Sequence, residues 1–257
     1  IDGRDYPLRS VAEPSKEKSL RGAKDGFVEA MMMNIALLRR RIRDNALIFK
    51  IYAVGDVTKT DVALAYMKDR ADQDMVKKMD QTLKQLRLRG LTVTEQTLVE
   101  ALTGKKLSWC NPFPKVRYSQ RPDIITAHVE EGKLAVIVDN SPTVILLPAG
   151  IFDFLQDIDD YYFPLLTGNY FRFLRILNIF VILFATPVYL LFAEGDIPVN
   201  EALRFFITEE EFAISIFWQF ILLELAVDGL KLASLNTPDS LGMSLSVIGA
   251  LILGEFS

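Results

Sequence analysis

Cysteine and histidine occur once each in these 257 residues, as Cys110 and His128. One cysteine excludes a disulfide scaffold and a cysteine-rich zinc site, and it fits a reducing compartment. One histidine excludes the His-rich metal centres and makes any Ser-His-Asp hydrolase depend on a single side chain. Neither sign of charge is in large excess: 29 Lys and Arg stand against 33 Asp and Glu, a net of −4, so no basic footprint points to nucleic acid. The strings that announce chemistry are missing as well, with no GxGxxG, P-loop, HExxH, CxxC or GxSxG. No catalytic residue, cofactor or metal site is expected. Apolar residues are plentiful instead: 17 Phe and 8 Tyr in a half-hydrophobic chain exclude disorder. The length allows one large domain or two ordinary ones.

The charges are unevenly spread. Residues 1–172 hold 26 of the Lys and Arg and 23 of the Asp and Glu, a net of +3, while residues 173–257 hold 3 and 10, a net of −7. Within the second part, Ile176–Phe192 is a charge-free run of 17 residues, which Phe173 and Leu174 extend past Arg175. A helix of about 20 residues crosses the ~30 Å hydrocarbon layer. Arg175 can bury its stem and lift its guanidinium to the interface, and Pro187 is tolerated in a membrane helix. A buried helix of a soluble domain is the alternative, but it would carry a polar stripe over five turns. Arg172 and Arg175 precede the run and Glu194 and Asp196 follow it, so residues 1–172 are expected on the cytoplasmic side.

A second run, Phe212–Val227, follows Glu209–Glu211 and contains Glu224, with Asp228 and Lys231 just after it. The i, i+4, i+7 spacing sets Glu224, Asp228 and Lys231 on one helix face. Two readings stand: a water-lined, ion-handling face, or an interfacial cluster in which Glu224 pairs with Lys231. The third run, Leu241–Gly254, holds the small-xxx-small pairs Gly242/Ser246 and Ala250/Gly254, which favour close helix packing. Because the sequence begins at Ile1 and stops just after this run, a fragment with further membrane segments is expected.

The first part reads as mixed α/β. A helix is predicted over residues 26–43, with Phe27, Met31, Ile35, Leu38 and Ile42 at helical spacing and Met31–Met33 as core filler. Its end carries Arg39, Arg40, Arg41 and Arg43, read either as a solvated helix terminus or as a contact for phosphate, anionic lipid or acids of a second copy. Strands are predicted over 46–54 and 61–67, helices over 72–86 and from Thr94 to Gly104, a break at Asn111–Pro114, a helix over 122–130 and strands over 133–138 and 143–147. Residues 151–166 would lead into the membrane. The expected organisation is an α/β subdomain over 1–110, with 1–25 an extended lead-in, a second over 111–170, and a membrane domain from 171, the first two to three transmembrane or re-entrant helices of an all-α bundle. The carboxylates Asp157, Asp159 and Asp160 read as a helix cap near the membrane rather than a cation site. Asp139 in a strand-end turn reads as an Asx turn rather than a catalytic acid.

Several long strings are familiar in order. Residues 9–44 (RSVAEPSKEKSLRGAKDGFVEAMMMNIALLRRRIRD), 54–69, 111–148 and 170–191 resemble the A subunits of GerA-type spore germination receptors, whose pattern runs EP…E…RG…(D/E)GF.E….N..L.RRRI. The blocks at 21–27, 111–123 and 235–242 look closest to a stage V sporulation branch of that family. The resemblance implies a multi-pass protein of the spore inner membrane or cell membrane, its soluble part on the spore-core side, oligomeric and working with B and C subunits or a small membrane partner. It implies a nutrient-responsive receptor or ion channel promoting ion and dipicolinate release, and acids often occupy the family positions matching Glu224 and Asp228. The competing expectation is a membrane-anchored scaffold that recruits partners without forming a pore. An enzyme acting through His128 or Asp139 is the remote third.

Overall fold

The computed structural model describes residues 9–14, 17–19, 22–86, 94–103, 115–155, 162–193 and 214–235. They fall into two units, one ending at Arg175 and the other beginning at Ile176.

The first unit is built on one antiparallel sheet. In chain order it runs α1 (Met31–Arg41), β1 (Leu47–Val54), β2 (Thr60–Met67), α2 (Gln73–Gln85), α3 (Thr94–Thr103), β3 (Arg117–Ser119), α4 (Pro122–Glu130), β4 (Leu134–Val138), β5 (Val144–Leu147) and α5 (Ile151–Leu155). The strand order is β1-β2-β4-β5-β3. Side chains alternate between the two faces of a strand. Val62, Leu64, Val136, Val138 and Ile145 therefore pack with Val76, Leu83 and Leu98 of α2 and α3. Ala63, Ala65, Ala135, Ile137 and Leu146 pack on the other face with Met31, Leu38, Ile125 and Val129 of α1 and α4. Both faces are covered, which is why β4, β5 and residues 62–67 of β2 are buried at every position instead of alternating.

This sheet changes the expected organisation. β2 and β4 pair directly, Val62 opposite Val138 and Ala65 opposite Ala135. Segments assigned to two subdomains thus share one sheet and one pair of cores. The break at residues 111–114 lies outside the described residues. β3 is absent from the predicted strands, because Arg117-Tyr118-Ser119 has no apolar alternation and is placed by pairing with Val144–Leu146 of β5.

α1 begins five residues later than predicted. The side chain of Asn34, fully buried, accepts from Val28 N at 2.9 Å and donates to Val28 O at 2.6 Å, holding the preceding segment out of the helix. Ala30 supplies no side-chain cap, and Asp139 Oδ1 accepts from Met31 N at 3.0 Å instead. Phe27 is buried from this non-helical segment, while Met32 and Met33 are exposed, so only Met31 fills the core.

α6 (Leu165–Ala193) begins in the first unit and continues into the second, which also contains α7 (Ile216–Leu235). Among the described residues, α6 is the one helix long and apolar enough to cross a membrane, over Leu165–Phe192. Tyr189 meets Phe220 of α7 with ring centroids 5.7 Å apart. The third apolar run, the flanking acids Glu194 and Asp196, and the Asp157–Asp160 cluster lie outside the described residues.

Candidate functional site

Three chain regions meet at Arg121, the residue preceding α4. Pro122 opens that helix, where its missing N–H costs nothing. Arg121 is 0% exposed. Its Nε donates to Asp123 Oδ1 at 3.0 Å and its Nη2 to Asp123 Oδ2 at 2.6 Å, a two-pronged pair. Nη1 donates to Glu17 O at 3.1 Å and Ser19 Oγ at 2.9 Å, and Nη2 also reaches Ala23 O at 2.9 Å. A guanidinium has five N–H donors, and these five acceptors use them all. That saturation is what lets a charge sit in the interior.

Tyr162, three residues before α6, completes the joint. Its hydroxyl donates to Asp123 Oδ2 and accepts from Ala23 N at 3.5 Å. Its ring lies against Gly22, whose φ is +107°; a Cβ there would stand 2.2 Å from Tyr162 Cζ. Glycine is required twice over, for the backbone conformation and for the ring. Glu17 adds a second tie, its Oε2 accepting from Ser119 Oγ at 3.0 Å and Gln120 N at 2.7 Å. Burial acts to raise the Asp123 carboxyl, but the hydrogen bonds from Arg121 and Tyr162 outweigh it and hold the group below its ordinary range. Burial and the bond to Asp123 push the Tyr162 phenol up.

This joint accounts for strings whose role the sequence left open. Glu17 and Gly22 serve it directly. Asp25 accepts from Arg40 Nη2 at 2.8 Å and from Arg41 Nη2 at 2.5 Å. Glu13 accepts from Lys24 Nζ at 2.9 Å. No periodicity marks Arg121 as buried; the RPD tripeptide ahead of a short helix is the only local signal.

The arginine-rich helix end divides into three roles. Arg39 turns inward, donating to Asp44 O and Leu47 O at 2.8 and 2.7 Å and lying 5.3 Å from the Phe49 ring centroid. Arg40 and Arg41 share Asp25, Arg41 from a mostly covered position and Arg40 from an exposed one. Arg43 is exposed. Met32, Ala36 and Arg40 recur at i, i+4, i+8 along the exposed face of α1, and Arg43 lies two residues past the helix end.

His128 is buried between charged neighbours. Its Nε2 is 3.2 Å from Arg117 Nη1, and its Nδ1 is 3.1 Å from Glu131 Oε2 and 3.3 Å from Lys133 Nζ. Burial lowers its pKa, and the Lys133 charge adds to that, so the ring is neutral at pH 7. Asp139 caps α1. Among the described residues no cluster of His, Cys, Asp or Glu could hold a metal ion.

Glu224 and Asp228 lie one turn apart on α7 and both are exposed. Lys231 follows Asp228 by three residues on the same helix.

The sequence pattern of the Bacillus/Clostridium GerA spore germination protein family matches residues 1–257. Stage V sporulation protein AF of Bacillus subtilis is 36% identical over the whole chain, which covers 52% of that protein. Spore germination protein A1 of the same organism is 30% identical over 96% of this chain and 51% of its own length. The chain thus spans about half the length of the relatives it matches. Among solved structures, the N-terminal domain of the A subunit of the Bacillus megaterium spore germinant receptor GerK3 is 32% identical, with a TM-score of 0.39, covering 49% of this chain and 97% of that one.

Proposed function

The chain belongs to the GerA family of spore germination proteins, and we propose from that premise that it is an A-subunit-type component of a nutrient-responsive germination complex, promoting ion and dipicolinate release. The observation that supports this reading is the Arg121 joint. It binds the amino-terminal segment and the sheet to Tyr162, three residues before α6. The joint thus ties the sheet domain to the chain three residues ahead of the apolar helix. In this reading α6 spans the spore inner membrane, the sheet domain lies on the core side, and further spans complete a bundle. Glu224 and Asp228 attract the cation, with Lys231 as their counter-charge.

The exposed Arg40 and Arg43 at the end of α1 are the contact to acids of a neighbouring copy, and B and C subunits or a small membrane partner complete the complex. Replacing Arg40 and Arg43 with Glu should reduce the size of the crosslinked complex; unchanged size sinks that contact. The function is tested by following monovalent-cation and dipicolinate release from spores lacking the full-length gene, across a panel of nutrients. Loss of response to one nutrient class marks a dedicated receptor subunit, and slowing of every response marks an amplifying paralogue. Unchanged release refutes the proposal and favours the scaffold reading.

A further inference from the structure

α5 is amphipathic in the wrong sense for a helix on a water-facing surface. Its acid, Asp153, is 9% exposed, paired with Lys133 Nζ and accepting from Gly150 N at 2.6 Å. Its apolar residues face out: Ile151, Phe152 and Phe154 are 55, 67 and 45% exposed. A short helix that hides its carboxylate and presents two phenylalanines is matched to an apolar surrounding.

The position of α5 along α6 indicates what that surrounding is. Arg175 Nη1 donates to Leu155 O, the last carbonyl of α5, at 2.6 Å. Arg175 is also the last charge before the 17 uncharged residues Ile176–Phe192. At ~1.5 Å per residue those 17 residues measure ~26 Å, close to the hydrocarbon thickness, whereas all 28 residues of Leu165–Phe192 would measure ~42 Å and exceed it. The hydrocarbon boundary therefore falls near Arg175, at the level where α5 ends. Guanidinium and aromatic rings are the side chains that settle at such a boundary.

We propose that the Ile151–Phe152–Phe154 face of α5 lies in the headgroup layer of a phospholipid bilayer, a collar around the point where α6 enters. This rests on the reading that α6 spans the membrane, and the experiment separates the two. An environment-sensitive fluorophore is attached to the full-length protein in phosphatidylcholine–phosphatidylglycerol vesicles, with Cys110 and every other native cysteine replaced by Ala, at one of three exposed sites. These are Phe152→Cys on α5, Ile182→Cys midway along α6 and Val57→Cys in the β1–β2 turn. Shallow lipid-borne nitroxide should quench the Phe152 probe at least threefold more than the Val57 probe, and deep nitroxide should quench the Ile182 probe. A Phe152 probe that iodide quenches as strongly as the Val57 probe, beside a lipid-quenched Ile182 probe, overturns the collar and leaves the span standing. An Ile182 probe open to iodide overturns both. A Phe152→Cys disulfide formed by an added oxidant in the unlabelled protein, together with a Phe152 probe shielded from both iodide and lipid-borne nitroxide, overturns it in favour of a second copy of the chain.

Discussion

A guanidinium with every donor used is stable only while its partners stay. Removing one member of a buried ion pair costs about 3–5 kcal/mol, because the other is left uncompensated. Arg121→Ala should therefore destabilise the sheet domain by about that amount, stranding Asp123. Tyr162→Phe removes one hydrogen bond to a charged group, about 1.5–3 kcal/mol. Urea unfolding followed by circular dichroism checks both, and equal costs for the two variants would contradict the hierarchy. The same pair fixes an acid response. Because the folded Asp123 carboxyl titrates below its unfolded value near 4, the stability it contributes is present above that value and is lost as pH falls through the folded one. The gap in urea midpoint between wild type and Asp123→Asn should be full at pH 7 and shrink below pH 4. A gap constant down to pH 2 would show that the carboxylate charge is not what holds the joint.

At the scale of elements, legibility followed how local the deciding interactions are. α2 could be placed closely because Asp72 caps it from within, accepting from Asp74 N and Met75 N. α4 was bounded by Pro122 at its start and a Gly132 turn at its end, and β4 and β5 by their unbroken apolar runs. Where the deciding partner is remote, the sequence was mute. β3 exists because β5 is beside it, and the start of α1 is decided by Asn34 behind it and by Asp139, 108 residues away. Glu17, Gly22, Arg121 and Asp123 of the candidate joint fall within the familiar strings and Tyr162 does not, and their meeting is not legible because Glu17, Arg121 and Tyr162 are spread over most of the sheet domain. The remote cap is itself testable. Asp139→Ala should cost about 1 kcal/mol, the usual worth of an N-cap carboxylate, and raise hydrogen exchange in the first turn of α1. Unchanged exchange there would mean that the Phe27–Ala30 segment, not Asp139, holds the helix end.

For the whole molecule, the pore and scaffold readings differ in what they ask of α7. A scaffold needs the helix only as an anchor, so neutralising its acids should leave function intact or improve insertion, since a charged side chain within a bilayer is costly. A cation path needs the charge itself: carboxylates one turn apart on an exposed face concentrate a cation, and their amides do not. Glu224→Gln with Asp228→Asn keeps shape and hydrogen-bonding capacity while removing two negative charges. Spores carrying the double variant, with the protein at wild-type abundance, should release monovalent cations and dipicolinate at least tenfold more slowly after nutrient addition. The Arg121 joint sharpens the comparison, because Tyr162→Phe loosens the connection to α6 without touching α7. Slow release from both variants fits a path that opens when the sheet domain acts on the apolar helix. Slow release from Tyr162→Phe alone removes the acids from the mechanism and leaves the joint, and normal release from the acid variant returns α7 to the role of an anchor.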